Sequence, residues 1–105
     1  MKNVKECIQA CLDCAIACET CASACLKEDN VKMMAQCILL DRDCADICFT
    51  TAALLARGSA HGEHLTKECQ EICLACAAEC EKHAAHYDHC KQCAEACKKC
   101  AEACA

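Results

Sequence analysis

Between Cys7 and Cys25 the chain places a cysteine at alternating steps of four and three residues: Cys7, Cys11, Cys14, Cys18, Cys21 and Cys25. Steps of three and four bring side chains onto one face of an α-helix, and their alternation makes a seam that repeats every seven residues. A coiled coil would put Leu or Ile there. In this chain every seam position is a thiol. The seam returns as Cys69, Cys73, Cys76 and Cys80, and again as Cys90, Cys93, Cys97, Cys100 and Cys104, with a sparser copy at Cys37, Cys44 and Cys48. Four helices, each turning a line of sulfur toward the others, account for this pattern.

Local signals predict helices over about 3–27, 31–57, 63–83 and 88–104. Asn3 and Glu6 form a capping pair for the first. Asp29 or Asn30 is expected to cap the second, Gly58 to end it and Asp88 to cap the fourth. Both glycines lie in the connection Gly58–Gly62, and the chain has no proline to interrupt a helix. Helices joined by short connections pack as antiparallel neighbours. The expected fold is all-α, an antiparallel up-down-up-down four-helix bundle with a cysteine-lined core, formed by one domain over 1–105. Leu, Ile, Val and Phe together number only sixteen. Protonated thiols and alanines must therefore fill the interior, and they pack as small apolar groups without needing metal.

Charge and composition narrow the function. The net charge is −5 and aromatic residues are only 2% of the chain, so nucleic acid is not an expected partner. No apolar run is expected to span a membrane, and the amino terminus shows no signal core. A cytoplasmic location follows as an expectation, and reduced thiols with it. An enzyme is not expected. A thiol oxidoreductase favours an isolated pair of activated cysteines, and no base or oxyanion hole accompanies the sulfur.

Disulfides suit the stripe poorly. Side chains at i and i+4 are about 5–6 Å apart at Cβ and nearly parallel, whereas a disulfide needs about 3.5–4.5 Å. A metal ion between two thiolates fits better, since two bonds of about 2.3 Å span some 4.6 Å. Thiolates select Cu(I), whose single charge balances one thiolate. Multiple Cu(I) ions, about one per cysteine and so on the order of 18, would leave the interior near neutral. The alternative is a general Zn(II) or Cd(II) buffer of the metallothionein kind, although zinc wants discrete sets of four ligands.

The Cys7–Cys25 stripe, the segment Cys37-Ile-Leu-Leu-Asp-Arg-Asp-Cys44-Ala-Asp-Ile-Cys48 and the His-rich turn before Cys90 resemble the bacterial cysteine-rich copper storage proteins of the cytosolic, signal-less kind. The resemblance covers nearly the whole chain. It implies storage and detoxification of many Cu(I) ions in a four-helix bundle, through Cys-x-x-x-Cys and interhelical thiolate pairs. It also implies association as a homotetramer. All eighteen cysteines occupy positions that fit that pattern. A copper chaperone or chelator is the expected exchange partner.

Other residues distinguish the two ends of such a bundle. With the start of the first helix at the bottom, Met33, Met34, His83, His86 and His89 gather at the top. His83 and His86 continue the cysteine seam. We read this cluster as entry-end ligands, against the alternative of packing methionines and solvated turn histidines. Asp41 is the one carboxylate on the seam and a poor Cu(I) ligand; it is read as hydrogen bonding a thiol, pairing with Arg42 or an entry histidine, or polarising an entry site, with a plain solvated helix residue as the equal alternative. His61 and His64 flank a loop glycine and are read as solvated. Thr51, Leu55 and Thr66 are expected to plug the bottom. Ile8, Leu12, Ile16, Ile38, Leu39, Leu40, Ile47, Phe49 and Leu54 lie off the seam, and some are expected to form a subunit interface.

Overall fold

A computed structural model describes residues 3–105. Four helices run up and down in chain order: α1 (Val4–Leu26), α2 (Ala35–Ala56), α3 (Gly62–Glu81) and α4 (Asp88–Ala103). The Cα trace measures 44 × 18 × 17 Å, a slender rod. α1 packs against α2 and α4, and α3 packs against the same two. Among the described residues no Cα pair comes within 8 Å across either diagonal. The space down the axis is filled by side chains alone.

All eighteen cysteines are buried, seventeen of them at 0% exposure and Cys104 at 2%. Alanines at the flanks of the seam, such as Ala15, Ala45 and Ala77, are buried with them. A core of thiols and alanines needs little width, which is why the rod is thin. Ile8, Leu12, Ile38, Leu40, Ile47 and Ile72 cover its sides as partly buried packing. Ile16, Leu39 and Leu74 remain more than half exposed, and Phe49 is 44% exposed.

The helix ends show how local sequence sets the bundle's length. The Asn3 side chain accepts a hydrogen bond from the Glu6 N–H at 3.1 Å, the expected cap of α1. Gly58 adopts φ +68° just beyond α2. Its N–H donates to the Leu55 carbonyl and the Ser59 N–H donates to Leu54. This pair of bonds is a Schellman ending, which needs the left-handed conformation that glycine takes without steric cost. Gly62 then sits against Leu55, where an added Cβ would lie 2.9 Å from Leu55 Cδ2.

Four expectations are corrected here. The stretch Val31–Met34 is a 3₁₀ turn before α2 rather than its first turn. Asn30 does not cap it through its side chain, whose amide instead donates to the Met33 sulfur at 2.8 Å. α3 ends at Glu81, two residues early, because Lys82, His83 and Ala84 donate to carbonyls three residues back and tighten the backbone. Asp88 lies inside α4, and extended Tyr87 occupies the cap position.

The expectation that no apolar run could span a membrane also needs amendment. The 23-residue α1 is long and apolar enough to do so by length and composition. Its apolarity is that of cysteine and alanine, and its seam is packed against α2 and α4.

Candidate metal centre

The seam cysteines of the four helices converge on the axis and form a continuous net of sulfur. Within helices, the i,i+4 pairs Cys21–Cys25, Cys44–Cys48 and Cys69–Cys73 have sulfurs 3.9 Å apart, and Cys93–Cys97 4.0 Å. Between neighbouring helices the separations are similar: 3.5 Å for Cys37–Cys80, and 3.6 Å for Cys14–Cys97, Cys44–Cys73 and Cys48–Cys69. Even the diagonals meet, with Cys14–Cys73 at 4.0 Å and Cys44–Cys97 at 3.9 Å. These distances suit weak S–H···S contacts in the metal-free protein. They also lie just below the roughly 4.6 Å span of two metal–thiolate bonds, so an ion could bridge them with small rotamer changes.

The net contains sets of four sulfurs. Cys14, Cys44, Cys48 and Cys73 form one, and Cys14, Cys18, Cys44 and Cys97 another. A third is Cys18, Cys76, Cys93 and Cys97, and a fourth Cys48, Cys69, Cys73 and Cys100. These sets share members. A thiol belonging to two sets cannot complete separate four-ligand sites unless it bridges them. Shared ligands are what a chain of bridged monovalent ions uses.

At the upper end a further set, Cys21, Cys25, Cys37 and Cys90, shares none of its cysteines with those four. His89, on the first turn of α4, joins it. Its Nδ1 lies 3.6 Å from Cys21 Sγ, 3.8 Å from Cys25 Sγ and 3.5 Å from Cys90 Sγ. Burial pushes the Cys25 thiol up and raises Cys90 to about 12, with the charge of Cys37 adding to the effect in both. A proton therefore stays on these sulfurs at neutral pH until a cation displaces it.

Asp41 stands between the upper set and the rest. It is fully buried, and the thiols of Cys76 and Cys93 donate to its Oδ1 at 3.2 Å. Cys80 reaches the same oxygen at 3.6 Å, and Cys37 reaches Oδ2 at 3.8 Å. Burial first, and then the neighbouring thiols Cys93, Cys76 and Cys37, raise this carboxyl to about 11. At neutral pH it is an uncharged acid within a ring of four thiols. The sequence placed Asp41 on the seam and allowed it a thiol partner, and the structure supplies four.

The other expected entry residues differ in their burial. Met34 is buried at 1% exposure, a plug in the upper core, whereas Met33 is 62% exposed. His86 is exposed on the turn. His83 is half-buried and turns its Nε2 to Glu79 Oε2 at 3.2 Å, away from the role of seam residue expected for it. His61 and His64 are both exposed, in keeping with a solvated loop.

The lower end is closed. Thr51, Thr66 and partly buried Leu55 fill it as expected. One pair there departs from the expectation of free thiolates: Cys7 and Cys104 are joined as a disulfide, and sixteen cysteines remain free. The start of α1 and the end of α4 bring these two Cα atoms to 4.8 Å, within the range a disulfide can bridge. Sequence spacing disfavours bonds along a helix and says nothing about a pair 97 residues apart. Gln70 reinforces this end by donating its side-chain amide to the Cys104 carbonyl.

Two solved structures share this architecture. One is a cytosolic copper storage protein from Streptomyces lividans in the course of copper loading, with five coppers. It is 44% identical, with a TM-score of 0.93 over 96% of this chain and 88% of that one. The other is the Cu(I)-bound copper storage protein BsCsp3, 43% identical, with a TM-score of 0.90 over 95% and 92% of the two chains. A 44-residue stretch is 44% identical to the uncharacterized cysteine-rich protein YhjQ of Bacillus subtilis, covering 42% of this chain and less than half, 41%, of that relative. The copper storage protein (Csp) family pattern matches residues 1–105, the whole length of the chain, and the chain belongs to that family.

Proposed function

We propose that this protein stores Cu(I), holding many ions along the bundle axis between its cysteine thiolates. The observation that carries the proposal is the net of overlapping four-sulfur sets, whose shared members suit bridging thiolates. Each ion displaces a thiol proton, so the core remains near neutral as it fills. The sixteen free cysteines are the ligands, and Cys7 and Cys104 join them when reduced. The Cu(I)-bound and copper-loaded relatives support the choice of metal.

Copper enters at the upper end, where His89 Nδ1 and the set Cys21, Cys25, Cys37 and Cys90 are the first soft ligands it meets. Neutral imidazole holds Cu(I) less tightly than thiolate does and can pass it inward. The exposed Ile16, Leu39, Phe49 and Leu74 support a homo-oligomer. A cytosolic setting, suggested by the cytosolic Streptomyces relative, would keep the thiols reduced. The role is storage and detoxification, not catalysis.

Titration of fully reduced protein with Cu(I) under anaerobic conditions tests the reading. The expected plateau is about one ion per cysteine. A plateau near four ions, with Zn(II) competing more tightly than Cu(I), would overturn it in favour of a zinc buffer.

A further inference from the structure

The His89 ring faces two ways. Nδ1 is turned to the sulfurs of Cys21, Cys25 and Cys90 at 3.5–3.8 Å. Nε2, on the other side of the ring, is buried and has no hydrogen-bond partner among the described residues. A carboxylate oxygen, Glu28 Oε1, lies 3.7 Å from it. Glu28 belongs to the turn after α1, where its N–H donates to the Cys25 carbonyl at 3.2 Å. The Tyr87 ring lies beside the imidazole, with centroids 5.6 Å apart. One imidazole thus spans the distance between the upper sulfur set and a carboxylate at the rim.

A neutral imidazole carries one proton, and the nitrogen without it is the ligand. With the proton on Nδ1, the Nε2 lone pair would face a carboxylate, which is unfavourable, and no Nδ1 lone pair would be left to bind copper among the sulfurs. With the proton on Nε2, the carboxylate gains a donor and the Nδ1 lone pair faces the thiols. A metal-binding histidine almost always gives its other N–H to a carboxylate, carbonyl or water.

We propose that Glu28 is a positioning residue for copper loading: it accepts the His89 Nε2–H and so presents Nδ1 as a ligand to Cu(I) held among Cys21, Cys25 and Cys90. This rests on the storage function proposed above. The present 3.7 Å gap must close by roughly 0.5–1 Å to reach hydrogen-bond length. Glu28 sits on a turn with its side chain 29% exposed, and a side-chain rotation there needs no helix to move. The bond satisfies the one buried imidazole nitrogen that otherwise has no partner.

The experiment compares wild type with Glu28→Ala, Glu28→Gln and Glu19→Ala. The last removes an acidic group from the surface, where it pairs with Arg42 at 3.6 Å, and controls for net charge. Two readouts are taken. The first is the tautomer of His89 in Cu(I)-loaded protein, from nitrogen-15 correlation spectra of the imidazole. The second is the initial rate of Cu(I) uptake from a chelated donor. Wild type is expected to show Nε2–H only. Glu28→Ala is expected to lose that single tautomer and to load about tenfold more slowly. Glu28→Gln keeps a neutral acceptor and should fall between the two, while Glu19→Ala should match wild type. Wild-type tautomer and rate in both Glu28 variants, or an equal slowing in Glu19→Ala, overturns the proposal. Should wild type itself fail to load Cu(I), the storage reading fails first. Normal wild-type loading with indifferent Glu28 variants refutes the role of Glu28 alone.

Discussion

The two ends of this bundle are built from the same helices yet differ in almost every chemical respect. The upper end keeps an imidazole nitrogen against three thiols, a carboxylate beside that imidazole, and a buried acid below. The lower end has a disulfide between the chain's two ends, buried Thr51 and Thr66, and Leu55 closed over Gly62. Thiolate alone makes a deep trap for a soft ion. A bundle lined uniformly with it to both openings would bind copper but exchange it slowly. On the proposed function, weaker neutral ligands at one end and inert packing at the other would give the store one working door.

The strongest test of this contrast is kinetic. Replacing His83, His86, His89 and Met33 by Ala should slow Cu(I) uptake, and removal by a competing chelator, by about tenfold or more, with total capacity nearly unchanged. Met34 is left in place because truncating a fully buried Met costs about 2–5 kcal/mol through the cavity it opens. The lower-loop variant with His61 and His64 replaced should exchange at the wild-type rate. If the lower-loop variant is the slow one, the polarity is reversed.

The boundary between the two regions is tested next, at Asp41. Its carboxyl is raised to about 11 by burial and neighbouring thiols, so the folded protein holds a proton that the unfolded chain releases above about pH 4. Stability from this group is fully present below that unfolded value and declines as pH rises toward the folded one. The metal-free wild type should therefore lose Tm between pH 5 and pH 8, before unfolded thiols titrate. Asp41→Asn, neutral throughout, should flatten that slope and raise Tm at pH 8 by ~5 °C or more, equivalent to about 1 kcal/mol. An unchanged slope in Asp41→Asn would mean that the carboxyl is not held neutral.

The lower end should tolerate a purely backbone perturbation. Gly58 has φ +68°, with nothing within 4 Å of an added Cβ. Gly58→Ala should cost about 1 kcal/mol through the left-handed conformation alone, lowering Tm while leaving copper capacity and uptake rate intact. A loss of capacity in this variant would show that the lower closure also shapes the sulfur net. The smallest effect is expected in the middle. Cys14→Ala with Cys18→Ala should lower the Cu(I) plateau by about two ions, on the count of one per cysteine, and preserve the helical circular dichroism. Collapse of the whole capacity would mean that the overlapping sets fill as one cooperative unit.

Much of this is legible in the sequence alone. The alternation of fours and threes placed every cysteine on the bundle axis, because helical geometry leaves no other face for them. Asn3 and Gly58 announced their helix ends through side-chain and backbone chemistry that acts within a few residues. The outer ends of the seam were harder to read. His83 and His86 continue the spacing of three and four, but the backbone tightens after Glu81 and takes His83 off the helix, while His86 lies on the turn between helices. Glu28 carried no signal, being one charge in a polar turn.

What the sequence determined by itself is whatever rests on local periodicity: four helices, their inward faces, a core of thiols, and the soft-metal chemistry that such a core implies. Only the tertiary structure decided which sulfurs share a set, that four thiols encircle Asp41, that Cys7 meets Cys104, and that His89 stands between the sulfur set and Glu28. Those relations join residues tens of positions apart. They depend on the register of one helix against another, which the packing of the whole bundle sets and no repeat along a single helix encodes.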